Sequence, residues 1–200
     1  MEPFPLSGFG PLAYFQQLAK AKEVVFEVND HFPKQTFRSR FSIVGPNGVQ
    51  RISIPLIRDN GSKTLTKAVR ISYDTNWIVE AKRSLKTAYS ASPYFDHYEQ
   101  DIFDLLDRKQ SSLVEFNLSI IDFLNAHLDL NIEYKLSSTF TEFKENDPRG
   151  IDFENNAFLL DKTEYQQVLF NENKFESNLS ILDCLFNLGP LSRTFIHVKK

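Results

Sequence analysis

The spacing of apolar and polar positions changes character near residue 75. Before it, short alternating runs predominate. `EVVFEV` (23–28) reads as an apolar strand, and `TKAVRISY` (66–73) as another. `QTFRSRFSIV` and `GVQRISIPLI` both alternate with period two, and Gly45-Pro46-Asn47-Gly48 between them is a turn signal, so the pair reads as a β-hairpin. One helix precedes these strands. `GPLAYFQQLAKAKE` sets Leu12, Phe15 and Leu18 or Ala19 on one stripe, with Lys20 and Lys22 in the last turn, where cations suit the helix dipole.

Beyond residue 75 the period lengthens. `NWIVEAKRSLKTAYS` places Trp77, Ile78, Ala81, Leu85, Ala88 and Tyr89 on one helical face. The next helix is expected to open with Ser92 as cap and Pro93 at its first position, and the one after with a capping box of Ser112 and Glu115. Residues 131–177 are less regular, and `FKENDPRGIDFENNAF` reads as a loop, with 144–177 a candidate lid. `NLSILDCLFNLGP` is a helix stopped by Gly189-Pro190, and `RTFIHV` a short closing strand. The fold class expected is α/β, with an N-terminal mixed sheet carrying the hairpin, packed against a helical second half; α+β is the alternative. The chain reads as a single domain, residues 1–200, sheet-rich over 1–75 and mainly helical over 76–200.

One register sorts the whole hairpin. If Val44 faces Val49, then Phe41 faces Ile52 and Ile43 faces Gln50, with Phe37, Ile54 and Leu56 on the apolar side. The other side collects Arg38, Arg40, Ser42, Arg51 and Ser53. Residues 31–56 hold one His, one Lys and three Arg, and no Asp or Glu. Same-face neighbours on a strand lie about 7 Å apart, so these guanidinium groups can converge on a phosphate or carboxylate. A solvated sheet face guarded by basic residues is the other reading, and on physics alone the pattern leans slightly to it.

Charge adds an asymmetry. The net charge is −3, but residues 1–92 carry 13 Lys and Arg against 7 Asp and Glu, and residues 93–200 carry 10 against 19. The first half therefore meets either anions or the second half. Chemistry elsewhere is sparse. The four histidines are scattered without metal spacing, no phosphate-cradling glycine loop exists, and Cys184 sits among Leu182, Leu185 and Phe186 as a buried thiol. Asn117 falls on an apolar stripe and needs partners there. Trp77, Tyr89, Tyr94 and Phe95 crowd one inter-helix loop, as core or as a sugar-stacking platform. No signal peptide and no apolar run of ~20 residues is visible, so a soluble cytoplasmic protein without membrane insertion is expected.

`HFPKQTFRSR`, `VRIS`, Trp77, `LKTAYSASPYFDHYEQD`, `EFNLSIIDFL` and `NLSILDCLFNLGP`, in that order, resemble the WbqC-like family of bacterial proteins. The family pattern falls on Tyr14, His31, Lys34, Gln35, Arg38, Arg40, Arg70, Trp77, Tyr89, Pro93, Tyr94 and Phe95. Three departures stand out. Ser39 replaces the usual Asn between the two arginines, Phe41 follows the second arginine, and the opening strand is poorly made in `MEPFPLSG`.

The resemblance implies a place in surface-polysaccharide (O-antigen) assembly, with an aminoacyl (glycine) transferase acting on a sugar as the suggested activity. In that reading His31 deprotonates the attacking group and Lys34 assists. Tyr14, Gln35, Arg38, Arg40, Arg70, Trp77, Tyr89, Tyr94 and Asn117 bind an anionic small molecule such as a nucleotide sugar or acyl donor. No cofactor and no metal is expected. A non-catalytic scaffold for an anionic glycan precursor, or for charged tRNA as the one nucleic acid considered, is the alternative.

Overall fold

The computed structural model describes residues 2–21, 23–143, 147–155, 164–168 and 175–197. Its centre is a three-stranded parallel sheet in the order β1 (Glu2–Pro5), β2 (Val24–Glu27), β7 (Tyr134–Leu136). The helix α1 (Leu12–Lys20) makes the crossover from β1 to β2. β1 corrects the expectation of a poorly made opening strand. Its prolines, Pro3 and Pro5, lack donors, but β1 lies at the sheet edge, where a missing N–H can face away from the one partner. β7, unforeseen in the irregular region after residue 131, pairs Val24, Val25 and Phe26 with Tyr134, Lys135 and Leu136.

The hairpin is β3 (Arg40–Gly45) with β4 (Gly48–Ser53), in the expected register: Val44 faces Val49, Ile43 faces Gln50 and Phe41 faces Ile52. It is a sheet of its own. A second antiparallel pair, β5 (Leu56–Ile57) with β6 (Arg70–Ile71), follows. Parallel and antiparallel pairing thus both occur, in the α/β arrangement expected. The 66–73 strand is cut to two residues. Thr66–Ala68 forms a 3-10 turn because Thr66 and Lys67 donate their amides to the carbonyls of Asp30 and Val28, at 2.9 and 2.8 Å.

The helical part comprises α2 (Trp77–Tyr89), α3 (Phe95–Asp107), α4 (Leu113–Leu128), α5 (Ile181–Leu188) and α6 (Ser192–Ile196). Ser112 caps α4 as expected, accepting from the Glu115 amide at 3.3 Å. α3 starts later than Ser92-Pro93. Those residues form the turn before it, in which the Phe95 amide reaches the Ser92 carbonyl at 3.2 Å. `RTFIHV` closes as helix rather than strand. The 3-10 turn Gly189–Leu191 runs straight into α6, and Ser192 donates its hydroxyl to the Cys184 carbonyl at 2.9 Å.

One apolar cluster joins both parts, from Phe4 and Phe26 in the sheet through Leu18, Phe116 and Ile120 to Cys184 and Phe186. Cys184 is fully buried, and burial pushes its thiol up to about 12, as expected of a structural cysteine. Gly8 lets the loop after β1 lie directly on α4. A Cβ there would stand 2.7 Å from Ile120 Cδ1. Among the described residues no helix is long and apolar enough to cross a membrane.

Candidate functional site

In a parallel sheet the loops beyond the carboxyl ends of the strands converge, and ligands characteristically sit there. Here β1 ends at Pro5, β2 at Glu27 and β7 at Leu136. Glu27 ends its strand pointing into protein, with no exposed surface. Its carboxylate accepts from the Ser137 hydroxyl at 2.6 Å, from the amides of Asn29 and Thr141 at 2.8 and 3.0 Å, and from Arg149 Nη1 at 3.2 Å. Burial works to raise its pKa, but these donors and the guanidinium outweigh burial and hold it below the ordinary carboxylate value. Arg149 also binds Asp147 through Nε and Nη2 and the Thr141 carbonyl through Nη1, while Phe143 covers its face at 4.2 Å. The segment 147–155 is thereby fixed over the edge of β1.

A second buried pair lies in the loop after β2. Arg38 Nη1 donates to Asp30 at 2.8 Å and to Thr66 Oγ1 at 3.4 Å. Only 3% of the Arg38 side chain is exposed. The expected strand from residue 35 begins at Arg40, and Thr36–Ser39 is a turn closed by the Ser39 amide on the Thr36 carbonyl, 3.2 Å away. Strand alternation therefore does not extend to Arg38, which leaves the basic face and turns inward. Asn117 fastens this turn. It accepts from the Gly8 amide and donates to the Arg38 carbonyl, both at 3.0 Å.

Between this turn and 149–155 is a cavity of about 420 Å³. Lys34, Gln35, Arg38 and Arg40 line it on one side, and Arg149, Asp152, Glu154 and Asn155 on the other. Lys34 and Gln35 are exposed. Gln35 has φ of 50°, the left-handed region. The amides of Lys34, Gln35, Thr36 and Phe37 find no acceptor among the described residues. Successive amides around a left-handed residue, beside a lysine, are of a chemistry that can receive an anion.

Arg40 and Arg51 share the hairpin face that the register assigned to them, and both meet a carboxylate of the protein itself. Glu154 accepts from Arg40 Nη2 at 2.6 Å and Nε at 3.0 Å, and Arg51 Nε lies 3.8 Å from its other oxygen. Arg40 and Glu154 also line a second cavity of about 140 Å³, with Pro11, Phe41, Arg51 and Ser180. Their ion pair is the partition between the two spaces.

The remaining expected site residues lie apart from this cavity. Tyr14, in the first turn of α1, is buried and donates its hydroxyl to the Pro5 carbonyl at 2.7 Å, and burial raises its phenol well above the ordinary value. Trp77 donates its indole N–H to the Ser72 carbonyl at 3.1 Å, and Tyr89 donates its hydroxyl to Asp183 at 2.9 Å; both rings are core. Tyr94 is half-buried, its ring where a Gly189 side chain would be. Arg70 is exposed and pairs with Asp59 at 2.9 Å. His31 is exposed, makes a single backbone bridge to Leu65, and is not part of the cavity lining. Parts of the expected lid, 144–146, 156–163 and 169–174, lie outside the described residues. Its portion 147–155 is anchored by Arg149 and by Phe153, which has no exposed surface.

Sequence reasoning missed Arg149, Asp152 and Glu154, which sit in a polar stretch without period. It also passed over Glu27, although a lone acid inside `VVFE` is a legible signal. Among the described residues no group of His, Cys, Asp and Glu could hold a metal ion.

Compared with known proteins, residues 9–159 match the model of the WbqC-like protein family. No curated protein and no solved structure matches the chain.

Proposed function

The chain belongs to the WbqC-like protein family, and from that premise we propose that it acts in surface-polysaccharide (O-antigen) assembly by holding an anionic sugar precursor or acyl donor in the cavity at the carboxyl edge of the parallel sheet. One observation carries this reading. Four consecutive residues, Lys34 to Phe37, whose amides find no acceptor among the described residues, line a cavity of about 420 Å³ together with the exposed Lys34 ammonium. Amide N–H groups and an ammonium together receive phosphate or carboxylate oxygens, and neither meets an acceptor among the described residues. Arg38 and Arg149 contribute differently. Their charges are already met by Asp30, Glu27 and Asp147, so they shape the walls rather than attract the ligand.

Aminoacyl (glycyl) transfer to a sugar is the finer form of this proposal, with His31 as base and Lys34 beside the reacting group. His31 lies three residues from Lys34 in sequence but outside the lining. That placement favours binding and presentation of the precursor over chemistry inside the cavity.

Calorimetric titration of the full chain with inorganic phosphate and with a nucleotide sugar tests the binding claim. Lys34→Ala is expected to weaken binding about tenfold, the scale of one charge-assisted hydrogen bond, with no loss of thermal stability. Unchanged affinity would remove the site. A transfer assay read by mass then separates the two forms. Product lost in His31→Ala at unchanged affinity supports transfer, and binding without product in any combination of donors supports presentation.

A further inference from the structure

Arg40 and Arg51 direct two guanidinium groups at one carboxylate, that of Glu154, and so leave an excess of one positive charge at the partition. Glu154 is 114 residues from Arg40 in sequence, so no local turn forces the contact. Its side chain is 11% exposed, against 51% for Arg51, which places the cluster at a rim that solutes can reach. The bonds from Arg40 Nη2 and Nε to one oxygen of Glu154, at 2.6 and 3.0 Å, use the same donors that guanidinium offers to phosphate.

We propose that the Arg40–Arg51 pair is a second anion subsite of the cavity, occupied in the free molecule by the protein's own Glu154. A ligand with two linked anionic groups, a diphosphate, displaces that carboxylate. This rests on the functional reading above and adds to it the ligand class. Two cationic stations line two adjoining spaces that share Arg40 and Glu154 in their walls. Lys34 with its free amides forms one, and Arg40 with Arg51 forms the other across the partition. A single anionic group fills one station. Two linked groups fill both, and the second arrives with the geometry that Glu154 now supplies. Rotation of the Glu154 side chain joins the cavities of about 420 and 140 Å³ while the backbone of 147–155 stays held by Arg149 and Phe153.

Glu154→Gln tests the proposal, with pyrophosphate and orthophosphate as probes by calorimetry on the full chain. The variant removes the competing charge and keeps the side-chain volume. It is expected to bind pyrophosphate at least tenfold more tightly than the wild type, with a smaller gain for orthophosphate. Adding Arg51→Ala is expected to erase most of that gain. Equal or weaker pyrophosphate binding by Glu154→Gln overturns the proposal, because a purely structural ion pair gives that result. Should Glu154→Gln lose its cooperative thermal transition, Glu154→Asp serves instead. It withdraws the carboxylate by one methylene, and no tightening there is equally fatal. Lys34→Ala separates this claim from the one it rests on. Affinity unchanged by Lys34→Ala but raised by Glu154→Gln rejects the lysine station and retains this one. Affinity lost in Lys34→Ala with no gain in Glu154→Gln does the reverse. Absence of binding in every variant rejects both.

Discussion

At the carboxyl edge of the sheet, Glu27 is sealed from solvent and meets a guanidinium, Arg149, at 3.2 Å together with two amides and a hydroxyl. In the helical half, Asp183 is equally sealed but meets only neutral donors. These are the hydroxyls of Tyr89 and Tyr165 at 2.9 and 2.6 Å and the amide of Gln167 at 2.8 Å. Both carboxylates tie distant segments together, yet the pKa of Glu27 is lowered and that of Asp183 is raised, by burial that its hydrogen bonds do not offset. The frame around the candidate site is thus charged and compensated, and the helical core is joined by a polar network of neutral partners. A charged frame holds its loops in one arrangement because any displacement leaves a bare ion in low dielectric. That suits a cavity whose walls are loops.

The largest expected effect comes from breaking the charged side of this comparison. Arg149→Ala leaves Glu27 and Asp147 without their cation and is expected to cost about 3–5 kcal/mol in urea unfolding, the scale for removing one partner of a buried ion pair. A cost below about 1 kcal/mol would show that water or a rearranged loop replaces the guanidinium, and the contrast with Asp183 would fail. Breaking the neutral side costs less. Asp183→Ala strands two phenols and one amide and is expected to cost about 1–3 kcal/mol. Asp183→Asn, which keeps acceptor and volume, is expected to cost less than Asp183→Ala in the same assay. A loss for Asp183→Ala equal to that of Arg149→Ala would erase the distinction between the two regions.

The two regions also differ in how far they could be read in advance. The hairpin register was legible because two alternating strands flank the Gly45-Pro46-Asn47-Gly48 turn, and a one-residue slip would bury Arg40, Ser42 and Arg51 together. The Ser112 cap of α4 and the Gly189 stop of α5 were legible because their signals are local. Arg38 was not, because its inward turn depends on Asp30 and Asn117, partners 8 and 79 residues away. β1 was obscured by two prolines that only an edge position tolerates, and β7 is three residues long. The candidate site was half legible. Sequence placed Arg40 and Arg51 on one wall, but Glu154 comes from a segment with no period to align it. Lys34 and Gln35 were singled out, but their unpaired amides follow from backbone conformation rather than residue type.

The smallest effect, and the one that isolates the comparison, is the pH dependence of stability. For Glu27 the folded pKa is lowered from its ordinary 4.5, so its contribution is fully present above that value and is lost as pH falls through the lowered one. For Asp183 the folded pKa is raised from its ordinary 3.8. Its contribution is therefore present below that value and is lost as pH rises through the raised one. Unfolding free energies measured against pH for the wild type, Glu27→Gln and Asp183→Asn expose the two groups separately. The wild type is expected to gain on Glu27→Gln as pH rises through the acid range. It is expected to lose ground to Asp183→Asn over the window just above the ordinary carboxylate value. Each slope is bounded by about 1.4 kcal/mol per pH unit for a single proton. Opposite signs follow from the donors: at Glu27 the Ser137 hydroxyl and the amides of Thr141 and Asn29, with Arg149 adding to them, outweigh burial, while at Asp183 two phenols and one side-chain amide do not, and among the described residues no cation faces it. Slopes of the same sign would mean that the three donors of Asp183 hold it ionised as effectively as the hydroxyl, two amides and guanidinium hold Glu27, and the two regions would then be stabilised by the same physics.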